Sequence, residues 1–123
     1  MQLDVFTLFP ESLGWFNSQH HIREAARLGH KVEPVDYRPT TPLTGGQVDD
    51  TPYGGGAGMV LRIDVVEAAL RARYQCDPVD LASERRVIAM VPNGRVLDEE
   101  LVCDLAESDK DITVLCGRYE GFD

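Results

Sequence analysis

Arg86-Val87-Ile88-Ala89-Met90-Val91 is a continuous apolar run bounded by charge on one side and Pro92 on the other. Runs of this length and β-branched content read as interior strands of a parallel sheet, where both faces are covered. A second run, Asp111-Ile112-Thr113-Val114-Leu115-Cys116, has the same character. Leu3 to Leu8 opens the chain as a third buried strand. Lys31 to Tyr37 alternates Val32, Val35 and Tyr37 with polar residues, and Pro34 confines it to a sheet edge.

Helical patterns separate these strands. Pro10 and Glu11 suit a first helical turn, since the missing N–H costs nothing there and the carboxylate complements the dipole. A second helical piece runs from Ser18, its expected N-cap, to Leu28, and Gly29 stops it. Asp64-Val65-Val66-Glu67 has the spacing of a capping box. It predicts a helix of about three turns ending near Tyr74, with Val66, Ala69 and Leu70 inward. Gln75 to Glu84 reads as a polar connector. Asp98 caps a further helix carrying Leu101, Val102 and Leu105. Strand, helix, strand, loop, helix, strand, helix, strand predicts one α/β domain over residues 1–123 with a largely parallel sheet flanked by helices.

The long loop is Arg38 to Asp50, and it runs into Asp49-Asp50-Thr51-Pro52-Tyr53-Gly54-Gly55-Gly56-Ala57-Gly58-Met59. Four of the chain's eleven glycines lie within five residues there. Glycine held in one shape costs entropy, so such a cluster marks either a floppy connector or a backbone that something approaches closely. Pro52 stiffens the entry and Met59-Val60-Leu61 can anchor the exit, which favours the second reading. Walker-type phosphate binding is excluded because Met59 stands where a lysine is needed, and no G-x-G-x-x-G register exists. Pro92-Asn93-Gly94 and Gly117-Arg118-Tyr119-Glu120-Gly121 both follow strands, and ligands of open α/β sheets bind beyond the carboxyl ends of strands. These two turns and the glycine cluster are the three candidate site segments.

The formal charge is −9, which opposes nonspecific binding to nucleic acid or anionic membrane. Cys76, Cys103 and Cys116 are widely spaced and read as buried reduced thiols. His20, His21 and His30 lack ligand spacing, and Asp49-Asp50 reads as a solvated pair, so no metal site is expected. Trp15 reads as core or dimer surface. The amino terminus is unlike a signal peptide, and no apolar run can span a bilayer. A cytoplasmic protein is expected.

Taken together, four segments resemble the bacterial tRNA (guanine-N1)-methyltransferases of the TrmD family. They are Leu3-Asp4-Val5-Phe6-Thr7-Leu8-Phe9-Pro10-Glu11, Asp49 to Met59, Val91-Pro92-Asn93-Gly94-Arg95, and Cys116-Gly117-Arg118-Tyr119-Glu120-Gly121-Phe122-Asp123. The resemblance implies a SPOUT-class α/β fold with a deep trefoil knot, S-adenosylmethionine as methyl donor, and N1 of a guanine next to the tRNA anticodon as acceptor. It implies a homodimer. Carried over by position, Met90, Val91, Pro92, Asn93, Gly94 and Gly117 hold the adenosine moiety, and Tyr119, Glu120 and Gly121 line the same pocket. Tyr53, Gly54, Gly55, Gly56, Ala57 and Gly58 approach the guanine, with Ala57 where the family usually has proline. The resemblance places the knot-completing segment, the catalytic aspartate and the C-terminal tRNA-binding domain beyond Asp123. The knot is therefore expected to be incomplete, and this chain alone inactive. A noncatalytic dimerisation or purine-binding module is the alternative.

Overall fold

A computed structural model describes residues 1–123. Four strands form one parallel sheet: β1 (Gln2–Thr7), β2 (Lys31–Asp36), β5 (Arg85–Met90) and β6 (Asp111–Cys116), in the order β2-β1-β6-β5. Between them in sequence lie α1 (Leu13–Asn17), α2 (His20–Arg27), α3 (Ile63–Tyr74), α4 (Leu81–Glu84) and α5 (Glu99–Glu107). The α/β alternation expected from the sequence is present. No helix is long and apolar enough to cross a membrane.

β2 is an edge strand, as Pro34 requires, and Pro34 lies opposite Val5. β5 is the other edge. The interior position expected for it is therefore corrected: within this chain β5 pairs only with β6. Its apolar run stays partly in water, with Val87 41% and Met90 57% exposed.

Parallel register assigns the two faces. Asp4 lies beside Thr113 and Phe6 beside Leu115, and this face carries the core. Phe6, Tyr37, Val48, Leu61, Val65, Val66, Ala69, Leu70 and Leu81 bury together there. Each large side chain contributes about 1.5–3 kcal/mol of transfer free energy. The other face, with Leu3, Ile112, Val114 and Ile88, looks across a groove toward Leu101 and Leu105 of α5.

Several local expectations need correction. α3 begins one residue before the expected cap, after Arg62, and no capping box forms. The Asp64 carboxylate instead accepts from Arg62 at 2.9 and 2.8 Å and from the N–H of Val65. A charged fork beside a carboxylate outcompetes a neutral amide three residues on. Ser18 does not cap α2, because its hydroxyl donates back to the Trp15 carbonyl. The end of the long loop is not irregular: Asp49–Asp50 (β3) pairs antiparallel with Val60–Leu61 (β4). The polar connector holds α4, whose Leu81 is buried against the core. Cys103 is exposed on α5 instead of buried, and Cys76 and Cys116 are half-buried. Trp15, 73% exposed, is not core. Asp98 does cap α5, accepting from the N–H of Leu101 at 2.8 Å.

One feature of the fold has no counterpart in the sequence reading. Asp4, in the middle of β1, is 1% exposed. Its carboxylate accepts from Arg73 at 2.9 Å, Gln2 at 3.0 Å, Arg85 at 3.2 Å and the Tyr74 hydroxyl at 2.7 Å. The Tyr74 hydroxyl also meets Thr113 at 2.7 Å, and Arg85 stacks over the Tyr74 ring. Burial pushes the Asp4 carboxyl up, but the hydrogen bonds from Arg73, Gln2 and Tyr74 outweigh it and hold it below the ordinary value. The network ties α3 to β1, β5 and β6 at one end of the sheet.

Candidate functional site

The site segments gather at the carboxyl edge of the sheet. β1, β6 and β5 end at Thr7, Cys116 and Met90. The segments that follow are Phe9-Pro10, Gly117 to Asp123, and Val91 to Arg95.

The glycine cluster is brought to the same edge by the β3–β4 hairpin. The backbone just after it, Met59 to Leu61, is stitched to the turn after β6 by three hydrogen bonds. Glu120 N–H donates to Met59 at 2.9 Å, Leu61 N–H to Gly121 at 2.9 Å, and Asp123 N–H to Leu61 at 2.8 Å. Bridges pair Val60 with Tyr119 and Leu61 with Phe122. Two stretches about sixty residues apart in sequence thus form one shelf. The base of the hairpin is clamped by Arg62, which reaches Asp50 at 2.7 Å as well as Asp64. The Thr51 amide, followed by Arg62, holds the Asp50 carboxyl below its usual value, and Arg62 does the same for Asp64. A carboxylate so engaged is a structural anchor.

Glycine is required at Gly58 and closely fitted at Gly117 and Gly94. Gly58 has φ +97°, and a Cβ there would meet Glu120 Cγ at 2.6 Å. A Cβ on Gly117 would sit 3.0 Å from the Phe122 ring, and one on Gly94 would sit 3.2 Å from the Val91 carbonyl. Gly54, Gly55 and Gly56 also have positive φ but face open space. Their freedom serves the loop's shape, whereas that of Gly58 lets the two segments touch. Tyr53 is wholly exposed at the tip. Tyr119, 44% exposed, takes φ +61° at a cost of roughly 1–3 kcal/mol.

Met90, Val91 and Gly94 line one end of the groove below α5, together with Arg95 and Leu97. The groove measures about 520 Å³ and is mostly apolar, the dimensions and character of a small-molecule site. Pro92 and Asn93 cap its rim in solvent. Register places Met90 beside Cys116, so the two turns on which the cofactor was expected emerge from neighbouring strands. The structure therefore joins the exit of the glycine cluster, Met59–Leu61, to the turn after β6, sets Gly58 against the Glu120 side chain, and brings Met90–Gly94 alongside through the sheet. His20, His21 and His30 lie on α2 and at the start of β2, away from this edge.

Sequence reasoning missed Arg62, Phe9 and Phe122 as parts of the shelf. Arg118 stacks over the Phe9 ring at 5.1 Å, and Phe122 closes under Gly117. The Arg62-Ile63-Asp64 spacing is the single local signal for any of them. The other contacts arise only when the fold joins distant segments.

Comparisons with known proteins agree with this geometry. The family model described as tRNA (Guanine-1)-methyltransferase TrmD matches residues 1–123. A tRNA (guanine-N(1)-)-methyltransferase of Rhodospirillum rubrum is 42% identical over 120 residues, covering 97% of this chain and 47% of that protein. One from Macrococcus caseolyticus is 37% identical over 125 residues, covering 100% and 48%. The crystal structure of tRNA (m1G37) methyltransferase from Aquifex aeolicus superposes with a TM-score of 0.79 at 31% identity, covering 100% of this chain and 53% of that one. The chain spans about half the length of the relatives it matches. It belongs to the tRNA (guanine-1)-methyltransferase TrmD family, and its parallel sheet is that of a SPOUT-class methyltransferase domain.

Proposed function

We propose that this chain supplies the methyl-donor shelf of a tRNA (guanine-N1)-methyltransferase that acts in the cytoplasm as a homodimer. The donor is S-adenosylmethionine and the acceptor is N1 of the guanine next to the anticodon. The observation that carries the reading is the backbone stitching of Met59–Leu61, the exit of the glycine cluster, to the turn after β6, because it holds the base-approaching loop beside the turn that leaves β6, the strand paired with β5.

The residues fit the donor. Met90, Val91 and Gly94 offer an apolar wall for an adenosine, and Gly117, Tyr119, Glu120 and Gly121 follow β6, the strand paired with β5. When bound, S-adenosylmethionine supplies an electrophilic methyl group on a sulfonium. What these residues contribute is orientation, since a methyl transfer needs its reacting atoms in line and close, and positioning alone can lower the barrier by several kcal/mol. The shelf of Gly54 to Gly58 lets a flat base slide against backbone with no side chain in the way, and Tyr53 provides a ring on which a base stacks. Glu120 packs against Gly58 and fixes the distance between the two halves. The group that takes the guanine N1 proton is not assigned to any residue of this chain. Pairing with a second copy is supported by the exposed apolar side chains of β5 and α5, Val87, Met90 and Val102 among them.

The test is a titration of isotope-labelled chain with S-adenosylmethionine, followed by amide chemical shifts. Shifts concentrated at residues 90–95 and 117–121 are expected. Shifts that leave both segments unmoved at millimolar donor overturn the assignment.

A further inference from the structure

Residues 51–59 connect β3 to β4 and carry Tyr53 and the glycine cluster, yet little within them fixes their shape. Gly54, Gly55 and Gly56 face open space, and Tyr53 is wholly exposed. From Pro52 to Gly58 one backbone hydrogen bond forms inside the loop, from the Gly55 N–H to the Pro52 carbonyl at 3.0 Å. The ladder at the base has two residue pairs, Asp49 with Leu61 and Asp50 with Val60. A hairpin that short is marginal without help from outside its own strands. At the exit the help is the stitching of Met59–Leu61 to the turn after β6. At the entry it is Arg62, whose guanidinium reaches across from the exit side to Asp50.

Arg62 is fixed at its root. Its backbone N–H donates to the Val48 carbonyl at 3.0 Å, and its own carbonyl accepts from the Val66 N–H at 3.3 Å as α3 begins. Val48, Val65 and Val66 are buried in the core. Asp64 accepts from Nε and Nη2 of the guanidinium as a fork, at 2.9 and 2.8 Å. That fork leaves Nη1 aimed at the Asp50 carboxylate, 2.7 Å away. The other Asp50 oxygen accepts from the Thr51 N–H at 2.8 Å, where the chain turns into the loop. A planar guanidinium with two nitrogens taken has its third direction set, which a lysine's rotating ammonium does not. The core thus holds α3, Asp64 holds the guanidinium, and the guanidinium holds the loop entry.

We infer that Arg62 is a positioning residue for the target guanine: aimed by Asp64, it holds the entry of loop 51–59 at Asp50, so that Tyr53 and the Gly54–Gly58 backbone keep one placement beside the turn after β6. Arg62 touches neither donor nor base in this role, and acts on the base through Asp50 and Thr51. With its side chain 30% exposed, the contact lies at the surface of the core and can be altered while α3 stays packed. The inference rests on the proposed action on tRNA and adds to it the residue that sets the loop.

The experiment measures the affinity of the full chain for two labelled stem-loop RNAs, one with the guanine next to the anticodon and one abasic at that position. The ratio of the two affinities isolates the base, because backbone contacts are common to both. Arg62→Gln is expected to lower the ratio about fivefold, the upper end for a partly exposed ion pair. Asp50→Asn opens the same contact from the loop side: with Oδ1 on the Thr51 amide, its Nδ2 faces the guanidinium, donor against donor. It leaves the Asp64 fork and α3 in place, so it serves should Arg62→Gln fold poorly. The same fall in ratio is expected, and the double variant is expected to fall no further. The two substitutions change net charge in opposite directions, so an effect of charge alone would move them apart. A wild-type ratio in both variants overturns the inference, as does a fall in only one of two folded variants, which would put that side chain on the RNA itself. Absence of base-dependent binding by the wild type overturns it too. Amide shifts on adding S-adenosylmethionine are read at residues 90–95 and 117–121 without RNA. Normal shifts there with an unchanged ratio sink this inference alone, whereas no shifts in the wild type sink the proposed function.

Discussion

The two ends of the parallel sheet solve opposite problems. At the end where β5 begins, Asp4 is buried and surrounded by Arg73, Arg85, Tyr74 and Gln2, with its oxygens fully engaged. At the carboxyl edge, Gly58, Gly94 and Gly117 remove side chains so that backbone meets the Glu120 side chain, the Val91 carbonyl and the Phe122 ring. One end is held by adding charge where water is absent, the other by leaving atoms out. A charge so placed must be satisfied by particular partners, which fixes the framework. A shelf without side chains keeps a surface open to a ligand. The first end should therefore report on stability and the second on binding.

The largest break of that contrast is Asp4→Ala. It leaves Arg73 and Arg85 facing each other's charge in a part-buried site, and removing one member of a buried pair costs about 3–5 kcal/mol. The lower end is expected, since Arg73 keeps access to water with a side chain 31% exposed. Urea unfolding measures it, and a loss under 1 kcal/mol would show that the network is decorative. The same carboxylate sets an acid limit. Its folded value lies below the ordinary 3.8, so its stabilising contribution is complete above that pH and is lost as pH falls through the folded value. Wild type should lose stability below about pH 4 more steeply than Asp4→Asn.

Next in size is Gly58→Val. The new side chain must adopt φ +97° and occupy space held by Glu120. Strain of this kind costs roughly 1–3 kcal/mol, and the displaced Glu120 should also unstitch the 117–121 turn. Amide exchange of Glu120 and Leu61 would report the loss. Gly55→Ala serves as the control, because it has open space and bears only the backbone cost of about 1 kcal/mol.

How much of this was legible in the sequence follows from the same contrast. The strands were readable because apolar runs such as Ile112 to Leu115 have one physical use in a chain this size. Pro34 identified an edge strand outright. The glycine segments were readable because few structural needs gather so many residues without side chains. Asp4 was invisible: a lone acid in a strand looks like a solvent-facing residue until Arg73, Tyr74 and Arg85 arrive from 69, 70 and 81 positions away. The edge position of β5 was misread because a run that is half-exposed in this chain has the composition of a covered one. Arg62 was missed and Asp64 misassigned, since the Asp64-to-Glu67 spacing suits a cap and Arg62 takes the Asp64 carboxylate instead.

Tyr74 sharpens the charged end from the alkaline side. Burial, followed by the Asp4 carboxylate, pushes its hydroxyl up to about 12 from 10.0. A phenol with a raised folded value stabilises fully below its unfolded value and loses that contribution as pH rises through the folded one. Stability should therefore decline between about pH 10 and 12, and Tyr74→Phe should flatten that decline. Its neutral-pH cost is about 1.5–3 kcal/mol, from the lost hydrogen bond to a charged acceptor, with the contact to Thr113 lost as well. An unchanged alkaline slope in Tyr74→Phe would assign the decline to Tyr37, the other phenol whose value burial raises.

The smallest expected effect on stability is the one that separates the two ends most cleanly. Tyr53 is fully exposed, at the tip of a loop whose neighbouring glycines face open space. A side chain with no contacts to lose changes stability by no more than about 0.5 kcal/mol when removed. Tyr53→Ala should thus unfold with wild-type midpoint and slope. A ring kept in water is nonetheless an unspent stacking surface, and base–aromatic stacking is worth about 1–3 kcal/mol per base. The same variant should bind a stem-loop RNA carrying the target guanine roughly tenfold more weakly, while a stem-loop lacking that base shows no difference between variant and wild type. Loss of stability without loss of binding would mean that the glycine end is framework after all, and that its open geometry has a structural cause the contacts do not show.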